Sequence, residues 1–199
     1  MRIVVFNHLT LDGVAQGPGR PDEDTRGGFA HGGWSPPYAD AVLGRYVAAG
    51  MGSTEALLFG RRTYEDFFSV WPKRKDGNPF TKVLDDTQKY VASRTLKEPL
   101  PWCNSTRIAG DATEAVAQLK ARPGKNLVVL GSTELVKALA QRDLIDEYQL
   151  TIHPLILGSG RRLFADGGRY TALRLVHAEP TSMGVILATY QPALSRENG

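Results

Sequence analysis

The sequence predicts an α/β fold: a mostly parallel central sheet between helical layers, closed by an antiparallel, β-rich edge at its C-terminal end. Three observations carry that expectation. Short apolar runs alternate with stretches of helical period up to about residue 153, the pattern of strand–helix–strand units. The runs at 2–9 and 126–130 are apolar and β-branched almost throughout, as strands covered on both faces require. Beyond them, runs at 173–178 and 185–190 are joined through Pro180, Thr181, Ser182, Met183 and Gly184, a hairpin signal.

The elements follow in order. After the first strand comes a Gly/Pro-rich stretch, 13–37, with seven glycines, four prolines and two aromatics, Phe29 and Trp34. A loop of that length inside a compact domain is usually functional, and its aromatics predict that it packs down as one wall of a pocket with Trp34 turned inward. A helix is expected at 38–49, a strand at 56–59 and a helix at 61–70. Asn78-Pro79 reads as an N-cap with proline at the first helical position, opening a helix to 86. A strand follows at 89–92, then a helix to 121 opened by Asp111-x-x-Glu114, which has the form of a capping box. A helix at 133–141 and a strand at 147–153 complete the alternating part. At 199 residues one domain, 1–191, is expected, with 192–199 as a disordered tail.

Composition excludes several classes of function. The formal net charge is +3, and Lys and Arg are scattered in ones and twos rather than gathered into a stripe, so no nucleic-acid face is predicted. Cys103 is the only cysteine, and His8, His31, His153 and His177 show no metal-ligand spacing, so neither a disulfide nor a metal site is expected. No apolar run is long enough to span a bilayer, and the start MRIVVFNHL does not read as a signal peptide. A cytoplasmic protein with no membrane partner is the expectation.

Three strand-to-helix junctions carry the residues of greatest interest: Gly60-Arg61-Arg62-Thr63, Ser93-Arg94-Thr95 and Gly131-Ser132-Thr133. In an open α/β sheet ligands bind beyond the carboxyl ends of the strands. There glycine admits close approach of a phosphate, the helix start offers free N–H groups, and arginine adds a charged fork. Each junction also has a plainer reading: a tight turn at Gly60, a solvated helix start at Arg61 and Arg62, a helix cap at Ser132. There is no GxGxxG, so an ordinary Rossmann site is not predicted.

The order of these pieces resembles the dihydrofolate reductase superfamily: the first strand followed by Leu11-Asp12-Gly13, then LLFGRRTYE at 57–65, then YVASRT at 90–95. The stretch 128–164, VVLGSTELVKALAQRDLIDEYQLTIHPLILGSGRRLF, is similar to the C-terminal reductase domain of the bifunctional riboflavin-biosynthesis protein and its stand-alone relatives. The resemblance spans about residues 1–191. It implies the dihydrofolate reductase-like three-layer fold, NADPH as cofactor and a homodimer. It also implies that Gly60, Arg61 and Thr63 line the NADPH phosphates, that Ser93 and Arg94 sit near the adenosine 2′-phosphate, and that Gly131, Ser132, Thr133 and Glu134 hold the pyrophosphate side. Leu157, Gly158 and Gly160 would border the nicotinamide or substrate, and Trp34 the substrate. One departure is Ser132, where dihydrofolate reductases have a second glycine.

Two carboxylates are the catalytic candidates. Asp12 follows the first strand and reads either as a pocket residue or as a turn residue before Gly13. Asp40 lies six residues after Trp34, a gap similar to that before the pocket carboxylate of dihydrofolate reductases; alternatively it complements a helix dipole. The activity implied is hydride transfer to a pterin-like or aminopyrimidine substrate, such as a 5-amino-6-(5-phosphoribosylamino)uracil-like compound. The alternative is a nucleotide-binding or sensory protein that retains the fold without the chemistry.

Overall fold

The computed structural model describes residues 1–164 and 168–193. Eight strands form one sheet: β1 (Arg2–Thr10), β2 (Thr54–Gly60), β3 (Gln88–Ala92), β4 (Ser105–Ile108), β5 (Asn126–Leu130), β6 (Glu147–His153), β7 (Leu173–Pro180) and β8 (Ile186–Pro192), in the order β4-β3-β2-β5-β1-β6-β8-β7. The first six run parallel, whereas β8 is antiparallel to both β6 and β7. The carboxyl ends of β3, β2, β5, β1 and β6 therefore share one edge.

Five α-helices cover the sheet: α1 (Ala41–Gly52), α2 (Arg61–Val70), α3 (Pro79–Asp86), α4 (Ala112–Lys120) and α5 (Thr133–Gln141). The alternation of β1 explains the layers. Ile3 and Val5 pack with Val116 and Leu119 of α4 and Val136 and Leu139 of α5. Val4, between them, faces the other way and packs with Tyr64 of α2, Leu84 of α3 and the partly buried Met51 of α1. Fully burying one such side chain stabilises by roughly 1.5–3 kcal/mol, so each face of β1 fixes its own helical layer. No helix among the described residues is long and apolar enough to cross a membrane.

Three expectations need correction. The first α-helix starts at Ala41, not 38, because Asp40 caps it and Tyr38 belongs to a short 3-10 turn with Pro36 and Pro37. The edge strand β4 was not foreseen; of its four residues only Ile108 is buried. Finally, β8 runs on to Pro192, and the Ala193 amide donates to the Ala172 carbonyl at 2.9 Å, so the start of the expected tail is ordered; 194–199 lie outside the described residues.

Candidate active site at the carboxyl edge of the sheet

Helices α1, α3 and α4 each carry a side-chain cap: Asp40 accepts from the Leu43 amide, Asn78 from Phe80, and Asp111 from Thr113 and Glu114. The two helices that follow β2 and β5 do not. Neither Gly60, before α2, nor Ser132, before α5, places a side-chain oxygen on its helix. Their strands are neighbours in the sheet, so two uncapped helix starts lie side by side, each with free N–H groups and the positive end of its dipole.

A local network holds the two together. The Gly60 amide donates to Ser132 Oγ at 3.0 Å, Ser132 Oγ donates to the Leu130 carbonyl at 3.0 Å, and Asn7 Nδ2 donates to the Gly131 carbonyl at 3.1 Å. Gly131 and Ser132 are both left-handed, at φ +56° and +54°. That conformation costs a residue with a Cβ roughly 1–2 kcal/mol; the two Oγ hydrogen bonds, about 1 kcal/mol each, offset it. The serine thus retains the backbone that a second glycine would adopt. A Cβ on Gly131 would meet Thr63 at 3.4 Å, which brings Thr63 into the same cluster. Thr133 opens α5, and Glu134 turns aside to pair with Lys137 at 3.0 Å.

At the third junction Ser93 Oγ accepts from the Thr95 and Leu96 amides, closing the turn that leaves Arg94 exposed. Because Gly60 pairs with Ala92, Arg61 and Arg94 leave adjacent strand ends. Arg61 also faces Glu65 at 3.5 Å. A third arginine escaped the sequence reading: Arg107, on β4, donates to the Ser93 carbonyl at 3.4 Å, and its Nε is buried without a partner. Without the strand there was no signal to place it.

Asp12 is tied to the turn that follows β6. Its carboxylate accepts from the Thr10 hydroxyl and from the amides of Leu157, at 3.3 Å, and Gly158, at 2.9 Å. The Thr10 hydroxyl and then these amides hold its carboxyl below the ordinary range. It therefore stays ionised and pins the 157–158 turn over the end of β1. Gly160 serves packing: at φ +115° a Cβ there would lie 2.7 Å from Val14 and 2.8 Å from Phe29.

The Gly/Pro-rich stretch folds onto this turn. Val14, Phe29 and Trp34 form a small core with Leu155 and Leu157, and the Trp34 indole donates to the Gln16 carbonyl at 2.8 Å. Trp34 is turned inward, and it meets the ring of His153 edge-on at 5.1 Å between centroids. The stretch thus roofs the ends of β1 and β6.

Asp40 sits elsewhere. One carboxylate oxygen accepts from the Leu43 amide; the other accepts from the amide and hydroxyl of Ser182 in the β7–β8 turn. These donors, the Leu43 amide foremost, lower its pKa to about 2. The carboxylate is committed to capping α1, which corrects the expectation that it faces substrate. A narrow apolar groove does border α1, lined by Val4, Phe6, Tyr46, Met51, Phe80 and Leu130 among others.

Two histidines at the same edge went unrecognised in the sequence. His8 Nδ1 lies 3.1 Å from His153 Nε2 and 2.8 Å from Thr151 Oγ1. The rings of Trp34 and Tyr38 stand edge-on to His153, which is fully buried. Burial, and for His8 also its neighbour, lower the two pKa values to about 3 for His8 and about 4 for His153, so both rings are neutral at pH 7.

The family model for the RibD C-terminal domain matches residues 2–187. The chain belongs to the RibD C-terminal domain family. This RibD C-terminal domain is 31% identical over 139 residues to the uncharacterized protein YyaP of Bacillus subtilis (strain 168), covering 68% of this chain and 73% of that one. It superposes on a putative riboflavin biosynthesis protein from Shewanella sp. PV-4 with a TM-score of 0.70 at 21% identity, over 98% of this chain and all of the other. With the dihydrofolate reductase of Enterococcus faecalis, solved with NADP(H), the TM-score is 0.62 at 14% identity, over 97% of each chain. The RibD C-terminal domain described here thus has the dihydrofolate reductase-like three-layer fold.

Proposed function

We propose that the protein is a cytoplasmic NADPH-dependent oxidoreductase that reduces a pterin-like or aminopyrimidine substrate, a 5-amino-6-(5-phosphoribosylamino)uracil-like compound being one such. The observation that carries this reading is the pair of uncapped helix starts at the ends of β2 and β5, tied by the Gly60 amide to Ser132 Oγ. Adjacent free N–H clusters suit the two phosphates of a dinucleotide. Gly60, Thr63, Gly131, Ser132 and Thr133 would hold the pyrophosphate, with Arg61, Ser93 and Arg94 toward the adenosine ribose. When bound, the nicotinamide supplies a hydride. The chain's own work is to hold the two reacting carbons together and exclude water. Asp12 positions Leu157 and Gly158 at that place, and Trp34 and its neighbours roof it.

The test is NADPH binding by nicotinamide fluorescence, followed by its oxidation in the presence of a panel of dihydropterins and ribosylaminopyrimidines. Binding is expected, with oxidation that depends on one class of heterocycle. Failure to bind NADPH would sink the proposal. Binding without oxidation across the panel would favour a nucleotide-binding protein that keeps the fold alone.

A homodimer is proposed with it, formed through β7. That strand is exposed along its whole length, with Leu173, Leu175 and Val176 among its exposed side chains, and among the described residues only β8 pairs with it. An open apolar edge strand invites pairing, and a second copy offers an identical, self-complementary strand. Light scattering is expected to give twice the chain mass, and Val176→Lys with Leu175→Glu to give monomer. A monomeric wild type would refute it.

A further inference from the structure

The His8–His153 pair has a feature that packing alone leaves unexplained. His153 is fully buried, yet its Nδ1 has no hydrogen-bond partner among the described residues. Buried N–H groups without acceptors are rarer than unsatisfied acceptors, so that nitrogen is better left as a bare lone pair. The proton of a neutral His153 then sits on Nε2 and points at His8 Nδ1, 3.1 Å away. The single lone pair of His8 Nδ1 must accept it; the hydroxyls of Thr151, at 2.8 Å, and Ser35, at 3.4 Å, lie beside the same atom, with the Thr151 hydroxyl donating to the Asn7 carbonyl at 3.4 Å. His8, neutral in turn, carries its proton on Nε2.

The geometry of the ring turns Nε2 away from those contacts, and His8 is itself only partly buried. His8 shares a face of β1 with Val4 and Phe6, both of which line the groove beside α1, and its ring stands perpendicular to that of Phe6 at 5.5 Å. We propose that His8 is a substrate-contacting residue: a neutral Nε2–H donor, locked in one tautomer by His153, that selects heterocycles presenting a carbonyl oxygen or ring nitrogen to it. His153 is the positioning residue. A neutral donor whose state is set from behind hydrogen-bonds an uncharged ring without adding a cation near the hydride acceptor. The strongly lowered pKa values of both rings agree with this neutral state. The ligand class rests on the reductase reading above; the tautomer does not.

Nitrogen-15 NMR of the imidazoles in the intact protein reads the tautomers directly. Protonated Nε2 and bare Nδ1 are expected in both rings at pH 7; a protonated His8 Nδ1 overturns the proposal. Titration with 7,8-dihydropterin and with 5,6-diaminouracil, followed at His8 Nε2–H, is expected to shift that resonance for at least one probe. His8→Leu is then expected to weaken that probe three- to tenfold, the range of one neutral hydrogen bond, while His8→Gln, which keeps a donor, recovers most of the loss. Equal affinity of wild type and His8→Leu, or no binding of either probe by wild type, overturns the substrate contact. NADPH affinity, measured in parallel on wild type and both variants, is expected to be unchanged. Its absence in wild type would sink the cofactor reading and leave the tautomer result standing.

Discussion

Lowering the pH from 7 to 5 is expected to destabilise the fold by about 2–4 kcal/mol through two side chains. His8 and His153 titrate near 6.5 when unfolded and near 3 and 4 in the native protein. A base whose folded pKa is depressed contributes stability above its unfolded pKa and loses it as pH falls. The unfolded chain takes up protons below pH 6.5 that the native rings refuse, at about 1.4 kcal/mol per pH unit for each ring. At pH 5 the fully buried His153 accounts for about 2 kcal/mol, and the half-buried His8 for no more than a similar amount. Glu23 works in the opposite direction, since burial raises its pKa and the native state binds its proton more readily. Urea denaturation at pH 7 and pH 5 measures the total. Subtracting the same difference for His153→Asn isolates the ring. A wild-type midpoint that does not move between the two pH values would show that the native pair accepts the proton.

NADPH is expected to bind about 100-fold more tightly than NADH at low salt, and Arg94→Ala to remove at least tenfold of that preference. The 2′-phosphate that distinguishes the two carries up to two negative charges, and Arg61 and Arg94 follow the paired strand ends at Gly60 and Ala92. Hydrogen bonds to charged groups contribute roughly 1.5–3 kcal/mol each, so even one retained at the exposed edge gives a selectivity of this order. Of the two, Arg94 is the freer, because Arg61 already faces Glu65. Arg94→Ala should leave NADH affinity nearly unchanged, and added salt should narrow the difference between the cofactors. Isothermal titration of both cofactors against both proteins decides it; equal wild-type affinities would refute the placement of the arginines.

Most of the fold was legible because its signals are local. The apolar strands β1, β5 and β6 and the helices α2 and α5 announce themselves by period, and Asn78 and Asp111 act as the caps their neighbours imply. The short edge strand β4 carries almost no apolar pattern, and Arg107 was hidden with it. At 38–40 a 3-10 turn precedes the cap, and Asp40 exchanges a pocket for a helix start. The least legible feature is the histidine pair. His8 and His153 are far apart in sequence, and only the parallel register that sets His8 beside Thr151 and Thr10 beside His153 brings their rings together. No spacing rule reports that distance.

Asp40 has a mechanical consequence as well. Its carboxylate fastens the start of α1 to the turn of the β7–β8 hairpin, and six residues further along the Tyr46 hydroxyl meets Thr189 of β8 at 3.0 Å. Helix α1 also carries Tyr46, Val47 and Met51 into the groove. The helix and the hairpin are thus pinned to each other at two points. These two joints connect the exposed edge at β7 to the lining of the groove.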